Sequence, residues 1–159
     1  MNIIHSTFKH VVLSLVLLAT FTACFLLPAN NAPVMAQGEK SLYQRVGGYD
    51  ALAAVVDDFI GRLITDKQFE KFFAGFSVDS KKRIRQHILD QFCAATGGPC
   101  VYMGRDMKTT HGGLGITEAD WDAAVKHLTA SIDKFKVHKK EKGELLAFVA
   151  SLKKDIVEK

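Results

Sequence analysis

The sequence is sparing with the residues that mark special classes. Its 159 residues include three cysteines, three prolines, one tryptophan and twelve glycines. So few cysteines exclude a disulfide-dense miniprotein, and so little glycine and proline excludes a collagen-like fibre. Charge of one sign is also lacking. Lys+Arg number 21 against 17 Asp+Glu, a net charge of +4, and the two signs are interleaved over most of the chain. That pattern carries no basic nucleic-acid footprint, so no nucleic-acid partner is expected. A hydrophobic content of 48% excludes a disordered chain, and the length suits one domain. The mild positive balance is compatible with an anionic membrane surface or an acidic cofactor and demands neither.

The first 36 residues stand apart. Val11 to Leu27 carries no charge, and Lys9 is the one lysine or arginine before it. The apolar run then meets Pro28 and a stretch of small residues ending Val34-Met35-Ala36. A basic start, an apolar middle and a small-residue end is the order of an export signal. Three readings stand for its fate. Phe21-Thr22-Ala23-Cys24 resembles a bacterial lipobox with a lipid on Cys24, although Phe21 is unusual where leucine is common. Val34-Met35-Ala36 offers a cleavage site before Gln37. An uncleaved anchor is the third, since the run approaches the ~20 residues a spanning helix needs. Residues 1–36 are therefore expected to be an export or lipoprotein-like segment, with 37–159 as the folded domain. The domain would then be periplasmic or membrane-anchored, with membrane contact at its N-terminus.

Setting Cys24 aside leaves Cys93 and Cys100 as a pair around Ala94-Ala95-Thr96-Gly97-Gly98-Pro99. A helix end followed by a tight turn brings their Cα atoms within disulfide range, as an oxidising compartment permits; two reduced thiols are the alternative. Two cysteines without a second CxxC or an HxxxH are too few for zinc.

Beyond Gln37 the apolar residues recur with helical spacing. Leu52, Val55, Val56, Phe59, Ile60 and Leu63 form one stripe, with Asp50 as its expected cap after Gly47-Gly48. Asp66 opens a short turn holding Phe69, Phe72 and Phe73, and Asp79 is the expected cap of a helix with Ile84, Ile88, Phe92 and Ala95 inside. Thr117 with Asp120 resembles a capping box before Trp121, Ala124, Val125, Leu128, Ile132 and Phe135. One last helix is expected to carry Leu145, Phe148, Val149, Leu152 and Ile156. No useful length of strand alternation occurs. The fold class is all-α.

The segment from Cys100 to Gly115 breaks this rhythm, and an irregular stretch of that length needs something to organise it. It holds His111 before Gly112-Gly113, with Met107, Leu114 and Ile116 as an apolar wall and Arg105 and Lys108 as cations. An imidazole, an apolar slot and rim cations are what a haem requires: an axial bond, cover for the macrocycle and partners for the propionates. Eleven phenylalanines add flat surfaces. A lone histidine beside glycines is more often a loop or capping residue, so these features alone do not select the haem reading.

The order of motifs is more specific. Leu42-Tyr43-Gln44-Arg45-Val46-Gly47-Gly48, Val55-Val56-Asp57-Asp58-Phe59, Phe72-Phe73, Gly97-Gly98-Pro99, Tyr102 to Lys108 and His111 to Thr117 follow one another. From Ser41 to Val157 this resembles a group I truncated haemoglobin, a family with a two-over-two helical sandwich. The resemblance implies haem b, with His111 as the proximal iron ligand and Phe73, Phe92, Met107, Ile116 and Trp121 lining the haem. Lys108 falls among its contacts, and Tyr102 either meets a propionate or packs beneath the loop.

On the distal side the sequence departs from the family. Many members place a tyrosine directly after the position of Phe59, where this chain has Ile60. Positions often held by glutamine are Ile84 and Ile88. The family's tyrosine and glutamine donate hydrogen bonds to bound dioxygen. Losing such a bond to a charged acceptor removes about 1.5–3 kcal/mol, equivalent to roughly 10- to 150-fold faster release. His87 lies between the isoleucines and has two readings, a second axial ligand giving six-coordinate iron or a propionate-facing or solvent-facing residue. His127, His138 and the Lys81-Lys82-Arg83 run with Arg85 read as surface.

The resemblance implies an exported haem protein that reversibly binds a diatomic gas: oxygen, nitric oxide or carbon monoxide. A six-coordinate redox protein served by an unidentified electron donor is an alternative. Nitric oxide dioxygenation or peroxidase-like chemistry is another, although His87 is the one visible acid–base candidate.

Overall fold

The computed structural model describes residues 38–159. The expected export segment, with Cys24 and the Val34-Met35-Ala36 site, lies outside the described residues. Among those described, every regular element is helical. The elements are α1 (Leu42–Arg45), α2 (Gly48–Thr65), a 3-10 turn (Lys67–Phe69), α3 (Glu70–Phe73), α4 (Val78–Ala95), α5 (Met107–His111), α6 (Glu118–Lys134), α7 (Lys139–Ser151) and α8 (Lys153–Ile156).

Helix α2 is the central member and packs against both α4 and α6, while α6 continues onto α7. Its buried residues Leu52, Val55, Val56, Ile60 and Leu63 follow the spacing of one helical face. Leu89, Phe92 and Cys93 of α4, Leu128 and Ile132 of α6 and Leu145 of α7 complete the core with it. Fully burying such a side chain contributes about 1.5–3 kcal/mol, so the stripes hold the helices together.

The helix starts differ from expectation. Gly47, not Asp50, caps α2. Ser77, not Asp79, caps α4, its side chain accepting the Ser80 N–H at 3.1 Å. Both aspartates sit inside the first turn, where a carboxylate still meets the positive end of the helix dipole. The expected last helix is two, because the chain breaks at Leu152 between α7 and α8. Phe135 caps the end of α6 and is 40% exposed, so it does not belong to that helix's inner face.

The Thr117–Asp120 capping box is present. Thr117 Oγ1 accepts the Asp120 N–H at 3.2 Å, and Asp120 accepts the Thr117 N–H at 3.1 Å. Asp120 is buried and also accepts the Gln68 amide at 2.9 Å, which ties α6 to the corner before α3. The Gln68 hydrogen bond first, then those of Thr117 and the charge of Lys71, pull its pKa from 3.8 down to about 2 against the opposing effect of burial. The folded-state pKa lies below the unfolded one. The stabilisation is therefore complete above about pH 4 and disappears as pH falls toward 2. Acid unfolding followed by circular dichroism should accordingly show a loss of stability over that window, and Asp120→Asn should remove this carboxylate's share while Asp58, held low by Lys134 and Arg62, keeps its own. At neutral pH the same variant should cost about 0.5–2 kcal/mol through the weakened cap.

Cys93 and Cys100 form a disulfide, with Cα atoms 5.7 Å apart. It joins the end of α4 to the loop that leads to α5. The turn between them requires glycine: a Cβ on Gly98 would lie 2.6 Å from the Tyr43 ring and 2.7 Å from Cys93 Sγ. Closing so short a loop restricts the unfolded chain, so reduction should lower stability by about 2–3 kcal/mol. Urea midpoints measured with and without reductant test this; coincident curves would contradict it.

Candidate functional site

The helices enclose a cavity of about 550 Å³, within the ~300–1,000 Å³ range of cofactor pockets. Phe59 and Leu63 reach it from α2, Phe69, Phe72, Phe73 and Phe76 from the corner, and Ile84, Ile88 and Phe92 from α4. Met107, Leu114, Ile116 and Trp121 also line it, as do Val149, Leu152 and Ile156. Six phenylalanines and two isoleucines thus contribute to an apolar slot lined from both α4 and α5.

His111 stands at the end of α5, which Asp106 begins by accepting the Thr109 N–H at 2.8 Å. The His111 ring is half-buried, lines the cavity, and lies with Nδ1 2.9 Å from the Met107 carbonyl. A carbonyl can only accept, so Nδ1 donates here, which leaves Nε2 as the nitrogen available to a metal. A backbone carbonyl on the other ring nitrogen is how proteins orient a metal-binding imidazole and raise its basicity. This donor and the surrounding apolar walls fit a haem. Arg105, exposed and in the cavity lining, is a cation that would suit a propionate.

Most of the expected residues meet here. Phe59, Phe73, Ile84, His87, Ile88, Phe92, Tyr102, Met107, His111, Ile116 and Trp121 all contribute to the lining. Ile60 and Lys108 do not. Ile60, one step around α2 from Phe59, turns into the helix core, and Lys108 is exposed on α5. His87 is exposed at the mouth, its ring edge-on to Tyr102 with centroids 6.3 Å apart. The Tyr102 hydroxyl donates to the Arg105 carbonyl at 2.7 Å, so the phenol braces the loop.

Other surface expectations change. His127 is half-buried, with Nε2 2.7 Å from an Asp66 carboxylate oxygen, and it braces α6 against the corner. Arg85 grips Asp57 through two nitrogens at 2.6 and 3.0 Å, joining α4 to α2, whereas His138 is exposed as expected. Gln91 is a polar wall residue that the apolar pattern gave no reason to single out. Its position seven residues after Ile84 and three after Ile88 is the available signal, since those intervals share a helix face.

Known proteins resemble the chain throughout this region. The family profile of bacterial-like globins matches residues 41–158. A group 1 truncated haemoglobin of Mycolicibacterium paratuberculosis is 34% identical over 116 residues, covering 73% of this chain and 83% of that one. One from Nostoc commune is 38% identical over 88 residues, 55% of this chain and 72% of its own. The crystal structure of the ferric truncated haemoglobin of Tetrahymena pyriformis superposes with a TM-score of 0.69 at 23% identity, spanning 76% of this chain and all of that one, and establishes the fold. The architecture is the two-over-two sandwich, with α2 and α4 as one pair and α6 and α7 as the other. By profile, sequence relatives and fold, the chain belongs to the bacterial-like globin family as a group 1 truncated haemoglobin, with haem iron as its cofactor.

Proposed function

We propose that this protein reversibly binds a diatomic gas (oxygen, nitric oxide or carbon monoxide), with His111 as the one protein ligand to the iron. The supporting observation is the His111 ring, held by the Met107 carbonyl with Nε2 free beside an apolar cavity. Bound haem supplies an iron position for the gas. The chain's own residues do the rest. His111 would hold the iron, while Phe59, Ile84 and Ile88 would line the apolar space around it and keep water out. Arg105 marks the solvent edge. His87, exposed against Tyr102, serves the rim in this reading, not the iron.

The isoleucine wall supports a reading in which gases that depend little on a distal hydrogen-bond donor, nitric oxide and carbon monoxide, come ahead of stored oxygen. We also read the domain as exported, supported by the order of residues 1–36 and by the Cys93–Cys100 bridge.

An optical spectrum of the reduced, haem-loaded protein tests the reading. A broad five-coordinate band, unchanged in His87→Ala and converted by one equivalent of carbon monoxide, is expected. Sharp low-spin bands that collapse in His87→Ala would replace it with the six-coordinate redox reading. Sustained nitric oxide consumption with a reductant would replace it with an enzymatic one.

A further inference from the structure

We infer that Glu158 is a positioning residue for His111: its carboxylate fastens the loop behind the histidine and so fixes where the imidazole stands. The inference rests on the proposed role of His111 as iron ligand.

Helix α5 has five residues, too few to hold its shape unaided. Asp106 secures its start, but the end carrying His111 runs into Gly112-Gly113-Leu114-Gly115. Gly113 and Gly115 have φ of 83° and 65°, left-handed conformations that glycine adopts without strain. In that shape their N–H groups converge on one carboxylate. The Gly115 N–H donates to Glu158 Oε2 at 2.7 Å, and the Gly113 N–H donates to Oε1. Converging backbone N–H groups form a concavity suited to an anion, filled here by a side chain 43 residues further along the sequence.

The backbone reinforces the clasp. The Glu158 N–H donates to the Ile116 carbonyl at 2.9 Å, and the Glu118 N–H donates to the Lys159 carbonyl at 3.0 Å. Helix α8, just before Glu158, packs against α5. Leu114 and Ile116, which adjoin the clasped glycines, both face the cavity. A single carboxylate therefore positions the far end of α5 and two wall residues together, and its loss frees the ring to tilt.

The test uses the full haem-loaded chain with Glu158→Ala and Glu158→Gln. Haem transfer to apomyoglobin gives a release rate, the iron–imidazole stretching band reports the axial bond, and amide exchange of Gly113 and Gly115 in haem-free protein reports the clasp. Glu158→Ala should release haem about tenfold faster, the scale of one lost charge-assisted hydrogen bond. It should also shift the band and deprotect both amides, with Glu158→Gln intermediate because one acceptor oxygen remains. Glu144→Gln weakens the Arg45 pair on α7, away from the loop, and should leave the band in place. Unchanged amide exchange, release within twofold of the natural chain, or an equal band shift in Glu144→Gln would each overturn the inference. Should Glu158→Ala not fold, the same readouts on Glu158→Gln decide. Failure of the underlying reading looks different: His111→Gly would then leave the axial band unaltered.

Discussion

An Ile88→Gln variant should release oxygen about 10- to 150-fold more slowly than the natural chain. Ile84 and Ile88 are four residues apart on α4, on the face that meets the cavity. Neither can donate a hydrogen bond, whereas bound dioxygen carries partial negative charge. An amide introduced there adds a hydrogen bond to a charged acceptor, worth about 1.5–3 kcal/mol. Glutamine is close to isoleucine in size, so the substitution alters polarity more than volume. The gain should appear in the dissociation rate, because entry to the cavity is little changed. Stopped-flow displacement of oxygen by carbon monoxide measures it. Carbon monoxide release, which depends less on such a donor, is the internal control. Equal slowing of both gases would point to a steric barrier; no slowing of either would mean that this wall does not face the gas.

His111→Gly should weaken haemin binding by more than about 100-fold. Removing a group that merely supports a metal ligand costs about 10–100-fold, and here the ligand itself is lost. The apolar walls stay, so haem still enters loosely, and added imidazole should restore the axial bond and most of the affinity. Stability follows by linkage. Haem at 100 times its dissociation constant stabilises the fold by about 2.7 kcal/mol, a gain the variant lacks until imidazole is supplied. Haemin titration with thermal melts checks both effects.

The parts of the fold that depend on periodicity were legible in the sequence. The stripe from Leu52 to Leu63 and the capping box at Thr117 are local, and local chemistry decides them. Helix starts were less legible, because Asp50 and Asp79 are good caps that lie next to other competent ones. Gly47 and Ser77 take the role once the preceding turns fix the entry direction of the chain. The break at Leu152 was hidden because the apolar spacing continues across it.

At the site, the segment around His111 was legible by motif and the wall only partly. Phe59 and Ile60 are adjacent in sequence, yet a step of about 100° around a helix sends one to the cavity and the other to the core. The Glu158 clasp had no local signal, since its partners lie 43 and 45 residues away. Tertiary placement brought them together.

Titrating the purified domain with haemin, and then repeating it with His111→Gly, tests the central claim most directly. The natural chain should bind one equivalent with a sharp Soret band and the signature of an axial imidazole, and the variant should lose that signature until free imidazole is added. A domain that stays colourless, or a variant with unaltered axial coordination, would contradict the account.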